Sequence, residues 1–471
     1  MAGKTVKNIF GKVKKCFTNI NKVTTTGSPL VSYSGEALVG GILNRTGFFE
    51  TINGLECLHP EATYSDASIL AYGVATACRG NADFAGIDDY QEAPDFYAGL
   101  FGGPIPSEPT YRQRLGELAE SPAVEQTLWD WNAQNLLKDT IISAENGFYN
   151  LDFDVTPTDE GFKVHKEGLG NTYKRTNGYA PMISYLGQEQ YIINAELRPG
   201  KQHSQKGTAQ FLRNTIDYAA GLVPRNQILV RMDSGNDAVE NYGVCLDKGV
   251  FFVIKGNRRH MTKESLLQHA KEHTLPEKIS HPREGKTVYI GSDWKEFEYT
   301  SMEDGQKKKG VLRMVYEVIE RTIDVVTGQL CLVPDIEANI YWTNTGLSDE
   351  KVIETYHAHG SIEQGHSEVK TDADFNKLPS QTYTTNCLMF ALGCLGYNID
   401  HIIGMEMYAD EKDCPLRKPA YRRRVKTVIK HVINRPGRII KSGRKRILDL
   451  GRGALKWGDL FKYMFFTLCE A

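Results

Sequence analysis

Acidic side chains stand at the ends of two strand-like segments of this 471-residue chain. The segment NLDFDVT contains Asp152 and Asp154, and the apolar run of QILVRMDSGND stops at Asp233. Alternation along a strand puts Asp152 and Asp154 on the same face. If the two strands are neighbours, Asp154 comes close to Asp233, and paired carboxylates can bind a metal ion. Aspartate, serine, glycine and asparagine are also common in the turns that follow ordinary strands. A metal site is therefore favoured over a simple turn only if further carboxylates are found elsewhere in the sequence.

A later helical segment supplies the next candidate groups. An acid, two imidazoles and a cation share one helix face there, because they are spaced by three or four residues; they are His359, Glu363, His366 and Lys370. Two strand-end aspartates and a helical glutamate are hard oxygen ligands of the kind that a pair of Mg²⁺ ions needs for phosphoryl transfer. The combination predicts metal-dependent chemistry on phosphate esters.

The same helix allows a second interpretation. Glu363 and His366 form a Glu-x-x-His pair, which is a known metal-ligand spacing on helices. His357 and His359 lie close by in sequence, so the cluster at 357–366 is also a candidate site of a metal-dependent hydrolase that does not act on DNA.

The elements that must position these groups alternate in type. Strand-like segments are FYNLDFDVT, APMISYLG, QYIINAELRPG, QILVRMD and VFFVIKG, with the helix-like QKGTAQFLRNTIDYAAG between the third and the fourth. This order predicts a mixed α/β sheet. ASILAYGVATACRG and SPAVEQTLWDWNAQNLLKD, which precede the strands, have helical spacing, whereas the sequence after Gly256 reads as β-hairpins. Ser348 is expected to begin the late helix.

These blocks, in this order, resemble the DDE transposases of bacterial insertion sequences. The branch that the chain resembles carries its glutamate in a Tyr-x2-Arg-x3-Glu-x6-Lys signature, and Tyr356, His359, Glu363 and Lys370 keep that spacing with histidine in place of arginine. LDFDVT, GYAPMISYLG, AELRPG and RMDSG resemble the blocks around the first two aspartates of the family, and PIPSEPTYRQRL is similar to a segment that precedes the catalytic domain.

The resemblance implies a set of site residues. Asp154, Asp233 and Glu363 would be the catalytic triad and would bind two Mg²⁺ or Mn²⁺ ions, with Asp152 as the competing candidate for the first position. Tyr356, His359 and Lys370 would contact the phosphates of the transposon end. Trp294 would lie in the β-rich insertion and stack on an unpaired base, although such a tryptophan is more often part of a core.

The resemblance also implies the fold and the partners. We expect a ribonuclease-H-like mixed-sheet core, interrupted by a β-rich insertion, with a helical N-terminal domain and a basic C-terminal tail. The partners would be DNA, as terminal inverted repeats and target, and a second copy in a synaptic homodimer. The expected divisions are a basic arm and helical DNA-end-binding domain at 1–140, the core at 141–256 and 346–414, the insertion at 257–345 and the basic segment at 415–471.

Two departures from the family pattern leave a further alternative open. His359 replaces the arginine, and Asn236 follows Asp-Ser-Gly where the family usually has an aromatic residue. Either change is compatible with a weakened copy, so a noncatalytic, transposase-derived DNA-binding protein is a second candidate function.

Charge is distributed unevenly along the chain. Residues 415–446 contain thirteen Lys or Arg and no Asp or Glu, and the first 35 residues contain six lysines before Glu36, the first acid. A basic run is often only a solvated face, but lysine and arginine also bind polyanions by displacing counterions. We therefore expect the C-terminal run, including Arg422, Arg423 and Arg424, to contact DNA.

Composition and sequence patterns limit the class of protein further. The nine cysteines include no C-x-x-C pair and predict reduced thiols in a cytosolic protein. The N-terminal segment lacks the apolar stretch of a secretory signal, and NCLMFALGCLGYNI is too short to span a bilayer. We expect a soluble protein without a membrane partner, located in the cytoplasm and associated with the nucleoid.

Overall fold

The computed structural model describes residues 30–56, 62–259, 261–324, 326–409, 414–416, 422–452 and 456–470. The basic N-terminal arm predicted from the lysines of the first 29 residues lies outside the described residues, as does part of the basic C-terminal run.

Strands dominate the middle of the chain. Within the described residues they are, in chain order, β1 (Leu30–Val31), β2 (Tyr149–Val155), β3 (Gly170–Asn171), β4 (Asn177–Gly178), β5 (Met182–Leu186), β6 (Tyr191–Glu196), β7 (Ile228–Met232), β8 (Phe251–Gly256), β9 (Ile279–Arg283), β10 (Lys286–Thr300), β11 (Lys307–Ile323), β12 (Leu330–Thr343), β13 (Gly437–Ser442) and β14 (Lys445–Asp449). The five strands predicted around the aspartates, β2 and β5 to β8, are confirmed.

Helices precede, interrupt and follow the strands. The described α-helices are α1 (Glu36–Arg45), α2 (Phe48–Asn53), α3 (Asp66–Cys78), α4 (Pro94–Leu100), α5 (Glu108–Ala119), α6 (Pro122–Trp131), α7 (Thr208–Ala220), α8 (Val239–Lys248), α9 (Lys263–His273), α10 (Asp349–His357), α11 (Ile362–Ser367), α12 (Tyr383–Ala409), α13 (Val425–Val428) and α14 (Gly458–Phe465). Ser348 caps α10 as predicted, since its side chain accepts a hydrogen bond from the backbone N–H of Lys351.

One large mixed sheet forms the centre of the molecule. In the described part of the chain its strand order is β6-β5-β2-β7-β8-β12-β11-β10-β9. β7 pairs in parallel with both β2 and β8, whereas the other neighbours are antiparallel. Every residue of β7 is buried, as expected for a central strand covered on both faces. The predicted mixed α/β sheet is confirmed.

The β-rich segment after Gly256 extends this sheet. β12 pairs with β8, from Ile340 opposite Gly256 to Thr343 opposite Val253, and β11, β10 and β9 follow outward. An insertion that interrupts the core was expected. The strands do lie between the two parts of the core in sequence, but their backbone hydrogen bonds make them a continuation of the core sheet rather than a separate layer.

Helix α12 connects the N-terminal helices to the sheet. It packs against α3, α5 and β6, and its side chains belong to a hydrophobic cluster that runs from Val31 to Leu468 and includes the N-terminal helices. By length and composition α12 could cross a membrane, but 94% of its most apolar window is buried inside the fold. Such burial is typical of the central helix of a globular core.

The basic C-terminal segment is not a free tail where it is described. β13 pairs with β14 and with β1 near the start of the described chain, and α13 and α14 both pack against α12. Val425, Val428 and Leu460 are buried in the common core. The prediction of a tail was wrong for these residues, because apolar side chains between the basic ones dock the segment onto the N-terminal helices.

Candidate active site

The two aspartates predicted to bind metal end neighbouring parallel strands. β2 and β7 pair in parallel, and their last paired residues are Phe153 and Met232. Asp154 and Asp233 each follow one residue later. The two carboxylates therefore lie at one edge of the sheet, the edge formed by the carboxyl ends of the parallel strands β2 and β7. Asp233 then begins a short 3₁₀ turn over Ser234–Asn236, whose small residues let the backbone leave the sheet. The two strands are neighbours, which was the condition for Asp154 to come close to Asp233.

Asp154 and Asp233 repel each other electrostatically. Burial and the negative charge of Asp154 raise the pKa of Asp233, and a 2.7 Å hydrogen bond from Asn236 Nδ2 to Asp233 Oδ1 offsets only part of this rise. Burial acts on Asp154 as well, but the hydrogen bonds from His366 and from the backbone N–H of Val155, together with the charge that His366 and His359 carry when protonated, lower the pKa of Asp154. Two like charges held together in this way are strained unless a cation lies between them.

His366 fixes the position of Asp154. Its Nε2 lies 3.1 Å from Asp154 Oδ2, and its Nδ1 lies 3.1 Å from the hydroxyl of Tyr185. With the proton on Nε2, the imidazole donates to Asp154 and accepts from Tyr185. This chain of three hydrogen-bonded side chains connects α11 to β2 and β5. The other carboxylate oxygen of Asp154, Oδ1, accepts a hydrogen bond from the backbone N–H of Val155 on the same strand.

Asp152 lies two residues earlier on β2 in a very different environment. Arg231, its register partner on β7, donates from Nε to Oδ1 at 2.6 Å and from the terminal nitrogen to Oδ2 at 2.7 Å. Burial alone would raise the pKa of Asp152, but Arg231 and His359 lower it to about 2. Arg231 also donates to the carbonyl oxygen of Thr355 at 2.9 Å, so the ion pair joins two strands to α10.

His359 is occupied by this ion pair. Its side chain is buried, and its Nδ1 lies 2.9 Å from Asp152 Oδ1. We predicted that His359 contacts a DNA phosphate in place of the arginine of the family signature. The structure argues against this contact, because a buried imidazole that is hydrogen-bonded to a carboxylate is not presented to a phosphate.

Tyr356 and Lys370, the other signature residues, lie within electrostatic reach of the aspartates. Burial and the charges of Asp233 and Asp154 raise the pKa of the Tyr356 hydroxyl far above its ordinary value. Burial and the nearby Lys174 lower the pKa of Lys370, while Asp154 acts in the opposite direction. The fold therefore brings both side chains to the aspartate edge of the sheet.

Glu363 is exposed to solvent on α11, and within the described residues it forms no hydrogen bond or ion pair. It precedes His366 by three residues on α11, but His366 is buried against Asp154 whereas Glu363 is exposed. Glu363 does not contact the aspartates: in the described part of the chain no three His, Cys, Asp or Glu side chains are close enough together to hold a metal ion.

The donor chemistry of the edge fits a divalent cation. Asp154 and Asp233 offer hard carboxylate oxygens whose mutual repulsion a cation would relieve, and Glu363 offers an unengaged carboxylate on the adjoining helix. Asp152 does not fit this role, because both of its oxygens are already taken by Arg231.

The remaining predicted DNA contacts are divided between surface and interior. Trp294 on β10 is 66% exposed, so it is not part of a core. Arg422 is buried and ion-paired with Glu368 at 2.9 Å, and Arg423 is buried with a hydrogen bond to the carbonyl oxygen of Leu416. Their burial contradicts the expectation that these two arginines contact DNA, since their charge is used within the fold.

Arg424 is more accessible than its two neighbours, but it is also paired. Its guanidinium donates to both carboxylate oxygens of Asp372, at 2.5 and 3.0 Å, and to the hydroxyl of Ser367. Arg422 and Arg424 therefore hold the segment after α11 against the C-terminal segment through ion pairs.

The histidines of the alternative hydrolase site have separate partners. His357 Nε2 lies 3.5 Å from the hydroxyl of Tyr341, whereas His359 contacts Asp152 and His366 contacts Asp154. The described cluster at 357–366 thus does not converge on one point, and the geometry gives the hydrolase interpretation no support.

Two residues of the site were missed by sequence reasoning. Arg231 stands two residues before Asp233 in an otherwise apolar strand, just as Asp152 stands two residues before Asp154, and a buried charge of each sign at matching positions is a signal for a cross-strand ion pair. Tyr173 lies in a loop that carries no signal in the sequence, yet its hydroxyl donates to the carbonyl oxygen of Val155 at 3.0 Å, directly beside Asp154.

Comparisons with known proteins identify the family of the chain. A family model described as transposase DDE domain group 1 matches residues 14–469. No curated protein matches the chain. Among solved structures, the chain is similar to the piggyBac transposase in a synaptic complex with hairpin DNA, with 12% identity, a TM-score of 0.37, and coverage of 85% of this chain and 77% of that chain. Because the family model spans nearly the whole sequence, the protein belongs to the DDE-domain transposases of group 1.

Proposed function

We propose that this transposase binds the terminal inverted repeats of a bacterial insertion sequence and catalyses metal-dependent DNA cleavage and strand transfer. The observation that carries the proposal is the pair of like charges at the ends of β2 and β7: Asp154 and Asp233 lie side by side, and the charge of Asp154 raises the pKa of Asp233. A fold retains such a strained pair where the charges are used.

The residues that would hold two Mg²⁺ or Mn²⁺ ions are Asp154, Asp233 and Glu363. Bound there, the ions would lower the pKa of the attacking water or hydroxyl and stabilise the leaving oxygen. The protein positions the ligands: His366 and Tyr185 orient the carboxylate of Asp154, and Asn236 orients that of Asp233. Asn236, which departs from the family pattern, thus has a supporting role that is compatible with an active site.

We assign the first position of the triad to Asp154 rather than Asp152. Asp152 neutralises Arg231. If Asp152 bound a metal ion instead, the buried guanidinium of Arg231 would be left without a counterion. Asp154 is partly exposed and has no arginine or lysine partner among the described residues. We infer that Asp152 holds β2, β7 and α10 together, while Asp154 faces the substrate.

DNA contacts are assigned to residues that are accessible or that adjoin the aspartates. Tyr356 and Lys370 would contact phosphates next to the cleaved bond, and Trp294, exposed on the sheet extension, would stack on an unpaired base. Two transposon ends require two such sites, so a homodimer would form in the synaptic complex. A DNA-bound protein of this kind would be associated with the nucleoid.

Cleavage of a defined DNA tests the proposal. Linear DNA that carries the terminal repeats of the element, incubated with Mg²⁺ and the protein, should be cut at the repeat boundary. Asp233→Asn and Glu363→Gln should each reduce the cleavage rate by about a thousandfold, because metal ions supply several kcal/mol of transition-state stabilisation. DNA binding should persist, since neither change removes a phosphate contact.

The matched controls are Asp335→Asn and Glu354→Gln, which alter exposed carboxylates away from the sheet edge and should cleave at the natural rate. Repeat binding without cleavage by the natural protein would instead support the noncatalytic, transposase-derived DNA-binding protein. Metal-dependent hydrolysis of a substrate other than DNA, abolished by His357→Ala, would support the hydrolase interpretation.

A further inference from the structure

A small hairpin stands beside the two aspartates. β3 and β4 pair through Gly170 opposite Gly178 and Asn171 opposite Asn177, and residues 172–176 form the tip between them. The tip sequence is Thr-Tyr-Lys-Arg-Thr. Its two threonines close the loop: their hydroxyls lie 2.8 Å apart, and the backbone N–H of Thr172 donates to the carbonyl oxygen of Thr176.

The base of the hairpin is tightly packed. A Cβ on Gly200 would lie 2.0 Å from the carbonyl oxygen of Gly178, and a Cβ on Gly178 would lie 2.2 Å from the carbonyl oxygen of Thr158. Thr176 Oγ1 also donates to Thr158 O at 2.9 Å. Three backbone segments therefore meet without room for side chains, and this packing fixes the hairpin against the sheet.

Tyr173 is tethered at its hydroxyl and open at its ring. The hydroxyl donates to the carbonyl oxygen of Val155 at 3.0 Å, whereas the residue as a whole is 65% exposed. Burial of the hydroxyl, together with the charges of Asp154 and Asp233, raises its pKa to about 12. A large aromatic surface is thus held in solvent at a fixed place beside the active-site carboxylates.

Two cations follow this ring in the hairpin tip. Lys174 and Arg175 are exposed at the tip and form no ion pair within the described residues. Lys174 Nζ lies 5.9 Å from the centroid of the Tyr173 ring, and its charge reaches Lys370 across the edge of the site. An exposed aromatic ring on the same hairpin tip as two unpaired cations, next to a pair of carboxylates, has the chemistry of a single-strand binding surface: the ring stacks on a base and the cations neutralise phosphates.

We propose that the hairpin tip at residues 172–176 binds the DNA strand that leaves the active site, with Tyr173 stacked on an unpaired base and with Lys174 and Arg175 on the adjoining phosphates. The inference rests on the proposed function, because it names a substrate contact of that same site. It differs from the role assigned to Trp294, which lies on β10 in the sheet extension.

Two DNA probes separate this contact from the rest of the interface. The first probe is a blunt duplex that carries a terminal repeat. The second, the branched probe, is the same duplex with a short unpaired strand that contains 2-aminopurine at the repeat boundary. Binding to the full chain is measured by fluorescence anisotropy in Ca²⁺, and base stacking is measured by quenching of 2-aminopurine. Each measurement is repeated over a range of salt concentrations.

Tyr173→Ala should weaken binding of the branched probe about tenfold and abolish the quenching, while binding of the blunt duplex stays unchanged. Tyr173→Phe keeps the ring and should retain both properties. Lys174→Ala and Arg175→Ala should each weaken binding of the branched probe and reduce its salt slope by about one. The matched controls, Phe466→Ala and Lys462→Ala, alter exposed residues of the C-terminal segment and should change neither probe.

The two proposals fail in different ways. Quenching and affinity that are the same for Tyr173→Ala and the natural protein, in a preparation that cleaves repeat DNA, would overturn the hairpin contact and leave the transposase function intact. A natural protein that binds neither probe would overturn both proposals. Loss of quenching in Tyr173→Phe as well as Tyr173→Ala would also overturn the stacking role, since it would assign the effect to the hydroxyl.

Discussion

Two pairs of residues on the same two strands have opposite electrostatic character. Asp152 on β2 lies opposite Arg231 on β7, and this buried pair of unlike charges keeps the pKa of Asp152 at about 2. Two residues further along, Asp154 lies beside Asp233, and this pair of like charges raises the pKa of Asp233. One pair stabilises the sheet, and the other is a source of strain.

The difference shows that the partner residue, and not the residue type, decides what an aspartate does. Asp152 and Asp154 are on one face of one strand, and both are removed from water to a large extent. The first has two charged nitrogen donors and a histidine, so its charge is fully compensated. The second has one histidine and a neighbouring carboxylate, so it retains affinity for a further cation.

Breaking the unlike pair should have the largest effect on stability. Arg231→Met leaves Asp152 buried with His359 as its remaining partner, and we expect the free energy of unfolding to fall by about 3–5 kcal/mol. Urea denaturation followed by circular dichroism measures the change. The double variant Asp152→Leu/Arg231→Met should recover most of the loss, because apolar side chains need no counterion. Arg321→Met, which breaks pairs with the exposed Asp335 and Glu337, is the control and should cost about 1 kcal/mol or less.

Releasing one carboxylate of the like pair should reduce catalysis without unfolding the protein. His366→Ala removes the hydrogen bond that orients Asp154, and groups of this kind typically contribute about 10- to 100-fold to the activity of a metal site. The single-turnover cleavage rate measures the loss. His366→Gln, which keeps a donor nitrogen, should recover part of it, and His281→Ala on an exposed strand should have the natural rate. An inactive His366→Gln with an intact fold would show that the hydrogen bond is not the cause.

Removing the histidine of the unlike pair should have a small effect. His359→Ala leaves Asp152 with both hydrogen bonds from Arg231, so we expect a loss of about 1 kcal/mol in the free energy of unfolding. The affinity for repeat DNA should not change. A lower affinity with unchanged stability would restore His359 to the role of the arginine in the family signature.

A third buried carboxylate, Glu36, sharpens the comparison. Burial outweighs the nearby charge of Arg79 and the hydrogen bond from Tyr90, and it raises the pKa of Glu36 to about 8. The contrast with Asp152 has a geometric cause: Arg79 approaches Glu36 with Nε, 3.3 Å from Oε1, whereas Oε2 is buried and has no hydrogen-bond partner among the described residues. A carboxylate that is buried but incompletely paired prefers the proton.

The raised pKa predicts how stability depends on pH. An unfolded glutamate has a pKa of about 4.3, so the contribution of Glu36 is complete below that pH and is lost as the pH rises through about 8. Glu36→Gln should therefore have nearly natural stability at about pH 4 and should lose less of it than the natural protein between about pH 4 and pH 9. Thermal melting across this range measures the difference, and parallel curves for the two proteins would contradict the assignment.

The sequence was informative where one strand is enough to define a feature. Each of the five strands around the aspartates has an apolar run and a turn, whereas the adjacency of β2 and β7 was only a condition of the interpretation, which the structure meets. The strands depend on local periodicity, which a single sequence contains. The spacing of Glu363 and His366 also predicted one shared helix face, but Glu363 is exposed and His366 is buried.

Features that depend on distant partners could not be predicted in this way. Glu368 and Arg422 are 54 residues apart and form a buried ion pair, so a basic run that looks like a DNA-binding tail is partly a set of internal counterions. The extension of the sheet by β12 depends on which strand edge is free, and the place of the Tyr173 hairpin depends on the close packing of glycine backbones. Neither leaves a periodic pattern.

The most direct test of the central claim is the single-turnover cleavage rate of Asp154→Asn and Asp152→Asn on the same repeat DNA, corrected for the folded fraction of each protein. Asp154→Asn should be fully folded and cleave about a thousandfold more slowly than the natural protein, because it lacks a metal ligand. Asp152→Asn should be less stable, because Arg231 loses its counterion, but its folded fraction should cleave within about tenfold of the natural rate. A folded but inactive Asp152→Asn beside an active Asp154→Asn would contradict the account.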